Sequence, residues 1–348
     1  GPNGPIPLSH TPPDPVEIHE LLARLKADGV DRLAIEASSH GLDQHRLDGV
    51  IIKGCGFTNI TRDHMDYHHT FEDYITAKLR LFTEVVADGG VAVVNADADH
   101  AERFIAAAQA RGLKLITVGK KGETIHLDRR EDRGGAQALT LHYQGKIYYV
   151  ELPQAGAFQA SNALVAAGLA IGLGEDAGKV FAALEHLKGA PGRMEKVAIA
   201  ASGAPVYVDY AHTPDSLEKV LEALRPHTAN RLHVVFGCGG DRDKGKRPLM
   251  GAAAVKLADD VIVTDDNPRT EDAATIRREI LAAAPGAREI GDRAEAIRAA
   301  MADLKTGDVL IIAGKGHETG QYIKGEVFPF SDREQAIAAA QALGGRAA

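Results

Sequence analysis

The chain has 348 residues, of which 45% are hydrophobic and 25% charged, and its formal net charge is −8. This length accommodates two domains with well-filled cores, whereas the negative charge, the 5% aromatic content and the lack of tryptophan argue against a nucleic-acid partner. The two cysteines, Cys55 and Cys238, are far apart in sequence and provide neither a disulfide framework nor a zinc site. The sequence contains no run of 18 apolar residues, so no membrane span is predicted. We therefore expect a cytoplasmic protein that does not associate with a membrane.

The first half of the chain predicts alternating helices and strands. Asp14 and Pro15 form a typical N-cap pair for a first helix, which Gly29 ends. Residues 32–37 (RLAIEA) predict a short buried strand, and a second apolar strand lies within residues 50–60. Further helices are predicted at residues 71–88, 101–111, 158–173 and 176–187, strands at residues 90–95 and 113–118, and a β-hairpin around residues 144–145.

The second half predicts a separate α/β domain. Residues 188–193 (KGAPGR) contain two glycines and a proline, so we place the domain boundary there, between residues 1–188 and 189–348. Strands are predicted at residues 205–209, 232–236, 260–264, 288–290 and 309–313, helices between them, a hairpin within residues 320–330 and a closing helix at residues 331–343. This alternation predicts a six-stranded doubly wound sheet.

Polar clusters follow several of the predicted strands. They occupy residues 38–41, 61–69, 209–212, 237–248, 265–269 and 314–318. Each cluster alone is compatible with a solvated turn, a helix cap or surface charge. Because open α/β sheets bind ligands beyond the carboxyl ends of their strands, six such clusters predict a binding cleft between two α/β domains.

The motifs themselves, in their order, resemble those of the Mur ligases of bacterial cell-wall synthesis, and most of all the diaminopimelate-adding members. The motifs are EASSHGLDQHR, FTNITRDHMDYH, TAKLRLF, PGRME, VDYAHTPDSL, GCGGDRDKGKRP, DDNPR and AGKGHE. The resemblance implies an ATPase-type central domain with a parallel sheet, incomplete at its N-terminus, followed by a doubly wound Rossmann-like domain. It also implies ligase chemistry, in which ATP phosphorylates a carboxylate and an amine attacks the acyl phosphate to give an amide, ADP and phosphate.

The resemblance implies a role for each of four groups of residues. Glu36, His64 and Lys78 would be catalytic and would hold Mg²⁺, Lys78 as a carbamate. Thr11, Ser38, Gln44 and Arg46 would bind UDP-MurNAc-L-Ala-D-Glu, and Asn162, Arg193, Asp209 and His212 would bind the nucleotide, ATP. Arg242, Asp266, Asn267, Pro268, Arg269, Gly314 and Glu318 would bind meso-diaminopimelate. The partners implied are these small molecules, and the chain is expected to be a monomer.

The acceptor is expected to be selected by Arg269. Diaminopimelate differs from lysine by one additional carboxylate, which Arg269 and Arg242 can bind. An arginine left unpaired in a half-buried pocket would disfavour lysine by a few kcal/mol. Asp266 and Glu318 would receive the ammonium group of the acceptor.

Two departures from the family pattern lower the activity expected of this chain. The glycine-rich phosphate-binding loop and the domain that holds the uridine are not found in the sequence. In addition, Pro12 replaces the second threonine of a T-T-P-D-P segment. We expect the chain to begin inside a longer protein and to have little or no activity alone. The alternatives are a lysine-adding Mur ligase, a ligase similar to folylpolyglutamate synthase, and a non-catalytic substrate-binding fragment.

Overall fold

The computed structural model describes residues 1–8, 10–133 and 136–348. Within them the chain forms two compact units. Unit 1 combines residues 1–130, 139–150 and 161–185, and unit 2 combines residues 131–138, 151–160 and 186–348. The boundary at residues 188 and 189 stays a prediction.

The first sheet contains six strands in the order β1-β2-β3-β4-β5-β6. The strands are β1 (Ile52–Phe57), β2 (Val86–Asn95), β3 (Lys114–Gly119), β4 (Ile125–Arg133), β5 (Ala136–Tyr143) and β6 (Lys146–Leu152). The helices are α1 (Pro15–Ala27), α2 (Ser39–Asp43), α3 (Phe71–Arg80), α4 (Ala101–Ala110), α5 (Ala157–Gly172) and α6 (Ala177–Leu184). β1 to β4 pair in parallel, and the predicted hairpin forms between β5 and β6.

Both faces of β1, β2 and β3 are covered by helices. On one face Phe57 of β1 stacks on Phe104 of α4, with ring centroids 3.8 Å apart, inside a buried cluster. On the other face α5 packs so closely that a Cβ at Gly168 would lie 2.7 Å from Val93. Apolar residues on both faces are typical of parallel strands.

Two sequence predictions for unit 1 are wrong. Residues 32–37 form no strand, and Leu33 is 50% exposed, because no strand among the described residues pairs with this segment. The residues 38–41 cluster therefore does not follow a strand. The helix predicted to reach Asp88 ends earlier: α3 continues as one turn of π-helix, Leu81–Val85, and β2 starts directly at Val86. Asp88 lies in β2 because the strand begins at Val86, four residues before the strand predicted at residues 90–95.

The second sheet contains seven strands in the order β11-β10-β9-β12-β8-β7-β15. The strands are β7 (Glu195–Ile199), β8 (Pro205–Asp209), β9 (Leu232–Phe236), β10 (Asp260–Val263), β11 (Arg288–Glu289), β12 (Val309–Ala313) and β15 (Arg346–Ala347). The helices are α7 (Pro214–Leu224), α8 (Lys246–Leu257), α9 (Ala273–Leu281), α10 (Arg293–Asp303) and α11 (Asp332–Ala342). β13 (Gly320–Ile323) and β14 (Glu326–Pro329) form a separate hairpin.

The predicted doubly wound parallel sheet is confirmed, with a different number of strands. β8 to β12 pair in parallel, with α7, α8 and α9 packed on one face and α10 and α11 on the other. In addition to the five strands that were predicted individually, β7 and β15 join the sheet antiparallel to their neighbours, so the sheet has seven strands rather than the expected six. In the described part of the chain, no helix combines the length and the apolar character that crossing a membrane requires.

Candidate active site

Four polar loops of unit 2 start at one edge of the second sheet. β8, β12, β9 and β10 are adjacent and parallel, so the loops that follow them leave the sheet on the same side. The residues predicted to bind the acceptor all lie in the loops after β9, β10 and β12. The structure therefore brings together three segments that are about 25 to 80 residues apart in sequence.

Lys315 is at the centre of this edge. Its side chain is 0% exposed, and its Nζ donates to Asn267 Oδ1 at 2.9 Å, to Glu318 Oε2 at 2.8 Å and to the Gly320 carbonyl at 2.6 Å. Asn267 Oδ1 also accepts from the backbone N–H of Tyr322 at 3.1 Å, and Asn267 Nδ2 donates to Glu318 Oε2 at 2.9 Å. One buried ammonium thus connects the β10 loop, the β12 loop and the β13–β14 hairpin.

Asp266 has an oxygen available for a ligand. Its Oδ1 accepts from the backbone N–H of Asn267 at 2.7 Å, whereas its buried Oδ2 has no partner among the described residues. A Cβ at Gly314, where φ is +120°, would lie 2.5 Å from Oδ2, so glycine keeps the space beside this oxygen open. A buried carboxylate oxygen without a partner is costly, and an ammonium group is the kind of ligand that would satisfy it.

Arg269 is held by its backbone and by its guanidinium. Its φ is +52°, its N–H donates to the Tyr322 carbonyl at 2.9 Å, and its own carbonyl accepts from the N–H of Lys324 at 2.6 Å. Its Nη1 donates to the Gly240 carbonyl at 2.9 Å, and a Cβ at Gly239 would lie 2.7 Å from this nitrogen. Gly239 therefore makes room for the guanidinium, and Gly240 accepts a hydrogen bond from it.

Arg242 and Pro268 lie at the same edge in different environments. Arg242 is exposed, and its Nη1 donates to the Asp241 carbonyl at 2.9 Å. Pro268 is buried, and a Cβ at Gly240 would lie 2.0 Å from its carbonyl oxygen. Pro268 thus fixes how closely the β9 and β10 loops approach, while Arg242 is free of the core.

Arg247 fixes the β9 loop, and the sequence analysis did not identify it. It is fully buried at the start of α8 and donates to both oxygens of Glu271, to Glu279 Oε2 at 2.7 Å and to the Gly239 carbonyl at 3.3 Å. Arg247 and the N–H of Asp241 hold the pKa of Glu271 at about 2. The run KGKRP lies in a cluster compatible with a solvated turn, and only the fold shows that its arginine is internal.

Arg293 is a second internal arginine that the sequence analysis did not identify as part of the site. It forms a two-point ion pair with Asp332, with distances of 2.7 and 2.8 Å, and donates to the carbonyls of Asp265 and Ala313. These carbonyls belong to the residues directly before Asp266 and Gly314. The ends of β10 and β12 are therefore tied to one guanidinium.

The residues predicted to bind the nucleotide are divided between the two units. Asp209 at the end of β8 accepts the N–H of Met194 and of Ala211, both at 2.7 Å, and burial raises its pKa. The His212 ring contacts the Tyr210 carbonyl through Nδ1 at 2.8 Å, and the guanidinium of Arg193 lies 4.6 Å from the Tyr210 ring centroid.

Within unit 2, Arg193 and His212 therefore both contact Tyr210. Asn162, by contrast, belongs to unit 1, where it is exposed on α5. Asp209 fixes the local backbone, since both of its side-chain oxygens accept hydrogen bonds from backbone N–H groups.

Of the residues predicted to bind the muramoyl dipeptide, which all lie in unit 1, Gln44 and Arg46 contact each other. Ser38 is the N-cap of α2 and accepts the N–H of Gly41 at 3.0 Å, as the alternative reading of this residue expected. Arg46 donates to Gln44 Oε1 at 3.0 Å and to the Pro12 carbonyl at 3.1 Å, which holds the segment containing the exposed Thr11.

Lys78 is a predicted catalytic residue whose pKa is shifted by its surroundings. Burial lowers its pKa, against the opposing effects of Glu36 and Asp63, and its Nζ lies 3.5 Å from the Ala37 carbonyl. Its Nζ is also 5.8 Å from the Tyr74 ring centroid. A lowered pKa increases the fraction of neutral amine, which is the form that reacts with carbon dioxide.

His64 lies in a group of aromatic rings rather than beside a ready-made set of metal ligands. Its ring centroid is 4.8 Å from that of His40 and 6.0 Å from that of Tyr74, and His64 has a φ of +57°. Among the described residues, no three His, Cys, Asp or Glu side chains are arranged to hold a metal ion. Glu36 and a carbamate on Lys78 are nevertheless hard oxygen donors, which fit the part of a Mg²⁺ coordination shell that a protein usually supplies alongside water and phosphate.

Comparison with known proteins identifies the class to which this fold and site belong. The Mur ligase middle domain matches residues 3–170, and the Mur ligase glutamate ligase domain matches residues 192–316. The chain belongs to the Mur ligase family.

Among its relatives, the chain is 58% identical over 338 residues to UDP-N-acetylmuramoyl-L-alanyl-D-glutamate--2,6-diaminopimelate ligase of Bradyrhizobium diazoefficiens, covering 96% of this chain and 69% of that protein. It is 55% identical to the protein of the same name from Caulobacter vibrioides, covering 97% and 69%. A solved structure of a ligase with this name matches with a TM-score of 0.62 and 38% identity, covering 94% of this chain and 68% of the other.

Proposed function

We propose that this chain carries the acceptor-adding part of an ATP-dependent ligase that joins meso-diaminopimelate to UDP-MurNAc-L-Ala-D-Glu in peptidoglycan synthesis. The proposal rests on the loops that follow β9, β10 and β12 in unit 2. There the unpartnered Oδ2 of Asp266 and the carboxylate of Glu318 suit an ammonium group, and Arg269 suits a carboxylate. A cytoplasmic location and a monomeric state, which the family resemblance implies, are part of this proposal.

The chemistry requires an activated carboxylate and an uncharged amine. The γ-phosphoryl group of ATP passes to a carboxylate of the dipeptide, and the acceptor nitrogen then displaces phosphate from the acyl phosphate and loses a proton. Asp266 and Glu318 hold that nitrogen as an ammonium ion before attack and can accept hydrogen bonds as it is deprotonated. By fixing one end of the acceptor, they convert an encounter between two molecules into a step between positioned groups.

Selection of diaminopimelate over lysine is assigned to Arg269. The guanidinium is half-buried, and its fixed backbone limits how far it can turn away from the pocket. The additional carboxylate of diaminopimelate can accept hydrogen bonds from it, whereas lysine leaves it without this partner. Arg242 lies exposed on the neighbouring loop and supplies a second positive charge at the rim of the proposed acceptor pocket.

In unit 1 we assign Glu36, His64 and a carbamylated Lys78 to Mg²⁺. The ion would neutralise charge on the transferring phosphoryl group. Burial of Lys78 favours the neutral amine that carbamylation needs, and Glu36 supplies a carboxylate oxygen. Ser38, Gln44, Arg46 and Thr11 are assigned to the muramoyl dipeptide, and Asn162, Arg193, Asp209 and His212 to the nucleotide.

Acceptor binding by the unaltered chain and its Arg269→Ala variant tests the selectivity. Calorimetry should show meso-diaminopimelate binding more tightly than L-lysine, and the variant should lose affinity for diaminopimelate by about tenfold to a hundredfold while lysine binding changes little. Arg298→Ala is the matched control, because Arg298 is exposed on α10. Equal binding of the two acceptors by the unaltered chain would contradict the assignment.

Product formation separates the ligase from the alternatives. We expect little or no amide product from this chain with ATP, Mg²⁺, the UDP-linked dipeptide and diaminopimelate. A chimaera that adds the remaining part of the Bradyrhizobium relative should form the product with diaminopimelate. Product with lysine instead would favour a lysine-adding enzyme, and no product from the chimaera would favour a substrate-binding protein.

A further inference from the structure

Lys315 is a fully buried ammonium group without an assigned role. Its neighbours Gly314 and Glu318 belong to the proposed acceptor pocket, but Lys315 itself has no access to solvent or ligand, since its side chain is 0% exposed. A buried ammonium is costly unless it is fully hydrogen-bonded. The groups that bind Lys315 therefore indicate what this charge does.

The bonds of Lys315 fix the orientation of Asn267. An asparagine amide can be turned by 180° with little change in shape, but here Oδ1 faces two groups that can only donate, Lys315 Nζ at 2.9 Å and the Tyr322 N–H at 3.1 Å. Nδ2 must then point to Glu318 Oε2, which it contacts at 2.9 Å. The reversed amide would place Nδ2 against two donors and is excluded.

The same ammonium fixes Glu318. Oε2 of this carboxylate accepts from both Lys315 and Asn267, so that oxygen is fully used and the other one is left for a ligand. The third bond of Lys315, to the Gly320 carbonyl at 2.6 Å, holds the start of the β13–β14 hairpin. Three pocket elements thus depend on one side chain that the acceptor does not touch.

We propose that Lys315 is the positioning residue of the acceptor pocket: it fixes the amide of Asn267 and the carboxylate of Glu318 for binding the amino end of the acceptor. This inference rests on the proposed function. Because the amino end is common to diaminopimelate and lysine, Lys315 sets the affinity for both acceptors, whereas Arg269 sets the preference between them.

The test is acceptor binding by the Lys315→Met variant, with L-lysine measured in competition with meso-diaminopimelate. The affinity for both acceptors should fall by the same factor, about tenfold or more, so that the ratio between them is preserved. Lys256→Met is the matched control, since Lys256 is exposed on α8, and it should bind both acceptors as the unaltered chain does. If Lys315→Met does not fold, Lys315→Gln, which keeps an N–H donor in the buried site, is measured instead.

A double-mutant cycle with Glu318→Gln separates positioning from general stability. If Lys315 acts through Glu318, then Lys315→Met should lower acceptor affinity much less in the Glu318→Gln background than in the unaltered one. Unchanged binding in Lys315→Met, or additive losses in the double variant, would overturn this inference and leave the proposed function intact. No acceptor binding by the unaltered chain would overturn both.

Discussion

Asp209, which was predicted to bind the nucleotide, stabilises the backbone around it. Both of its oxygens accept buried N–H groups, from Met194 and Ala211. The loop after β8, which contains Tyr210 and His212, therefore depends on an acceptor at each oxygen position. This observation leads to a stability prediction that does not depend on nucleotide binding.

Replacing Asp209 with asparagine should lower the free energy of unfolding by about 1–3 kcal/mol, because one amide NH₂ would then face a buried N–H. Urea denaturation followed by circular dichroism measures the change. Asp215→Asn is the control, since its contact with Lys219 is a partly exposed i,i+4 pair and is expected to contribute about 0.3–0.5 kcal/mol. Equal effects of the two substitutions would contradict the structural role of Asp209.

The lowered pKa of Lys78 leads to a prediction about covalent chemistry. Because burial disfavours the ammonium form, the chain incubated with ¹³C-bicarbonate should show a carbamate resonance in its carbon spectrum. The signal should grow as pH rises through the lowered pKa of Lys78, because the neutral amine becomes more abundant. Lys78→Arg should remove the signal, whereas Lys53→Arg, at an exposed position of β1, should leave it unchanged. A carbamate that survives Lys78→Arg would show that another amine reacts.

At the scale of elements, the Arg293–Asp332 pair joins the starts of α10 and α11 to the ends of β10 and β12. Both side chains are 0% exposed. Arg293→Met should therefore lower the free energy of unfolding by about 3–5 kcal/mol, because it leaves Asp332 as a buried charge without its partner. Thermal and urea unfolding of the variant measure this loss.

Arg333→Met is the comparison for Arg293→Met, because Arg333 lies on α11 next to Asp332. Arg333, whose side chain is 55% exposed, pairs with Glu195, so its loss should cost about 1 kcal/mol or less. If Arg293→Met were no more destabilising than Arg333→Met, the pair could not be what ties the strand ends together.

Apolar runs in the sequence predicted strands correctly where the run corresponds to a buried strand. β9 and β12 were predicted at residues 232–236 and 309–313, where the structure has them. β7 and β15 were not predicted, because short antiparallel strands at or next to the edge of a sheet need neither a long apolar run nor burial on both faces. The segment at residues 32–37 shows the opposite error, since strand-like composition forms a strand only where a neighbour supplies hydrogen bonds.

The site was predictable to the extent that its residues lie in loops at strand ends. Asp266, Asn267 and Glu318 were found in this way and do lie together at one edge of the second sheet. Lys315 and Arg293 were not assigned, since their charge suggests solvent exposure and their burial includes contacts with residues 48 and 39 positions away in sequence. Sequence reasoning found the groups proposed to face a ligand more readily than the buried charged groups that contact them.

For the whole molecule, several carboxylates with lowered pKa values predict acid sensitivity. These are Asp48, Glu72, Asp241, Asp259, Asp260, Glu271, Asp272 and Asp308. A carboxylate whose pKa is lower in the folded state stabilises that state above its unfolded pKa, and this contribution is lost as pH falls through the folded value. The raised pKa values of Asp209 and Asp265 act in the opposite direction.

Glu271 gives this prediction its pH window. Its pKa falls from 4.5 to about 2 in the folded chain, so its contribution should disappear between about pH 4.5 and about pH 2. Glu271→Gln should reduce the slope of unfolding free energy against pH in that interval, and Glu222→Gln, at an exposed position of α7, should not. Parallel curves for the unaltered chain and Glu271→Gln would contradict the prediction.

The attachment of Arg269 to the β13–β14 hairpin has a consequence for how acceptor choice could be altered. Both main-chain hydrogen-bonding groups of Arg269 are used by Tyr322 and Lys324, so the arginine behaves as a short third strand of that hairpin. Changes in the exposed turn at Lys324 and Gly325 would move the guanidinium without altering any group that touches the acceptor. A directed-evolution library aimed at a new amino-acid substrate should therefore randomise this turn together with the pocket, because the turn sets the position from which the pocket recognises the substrate.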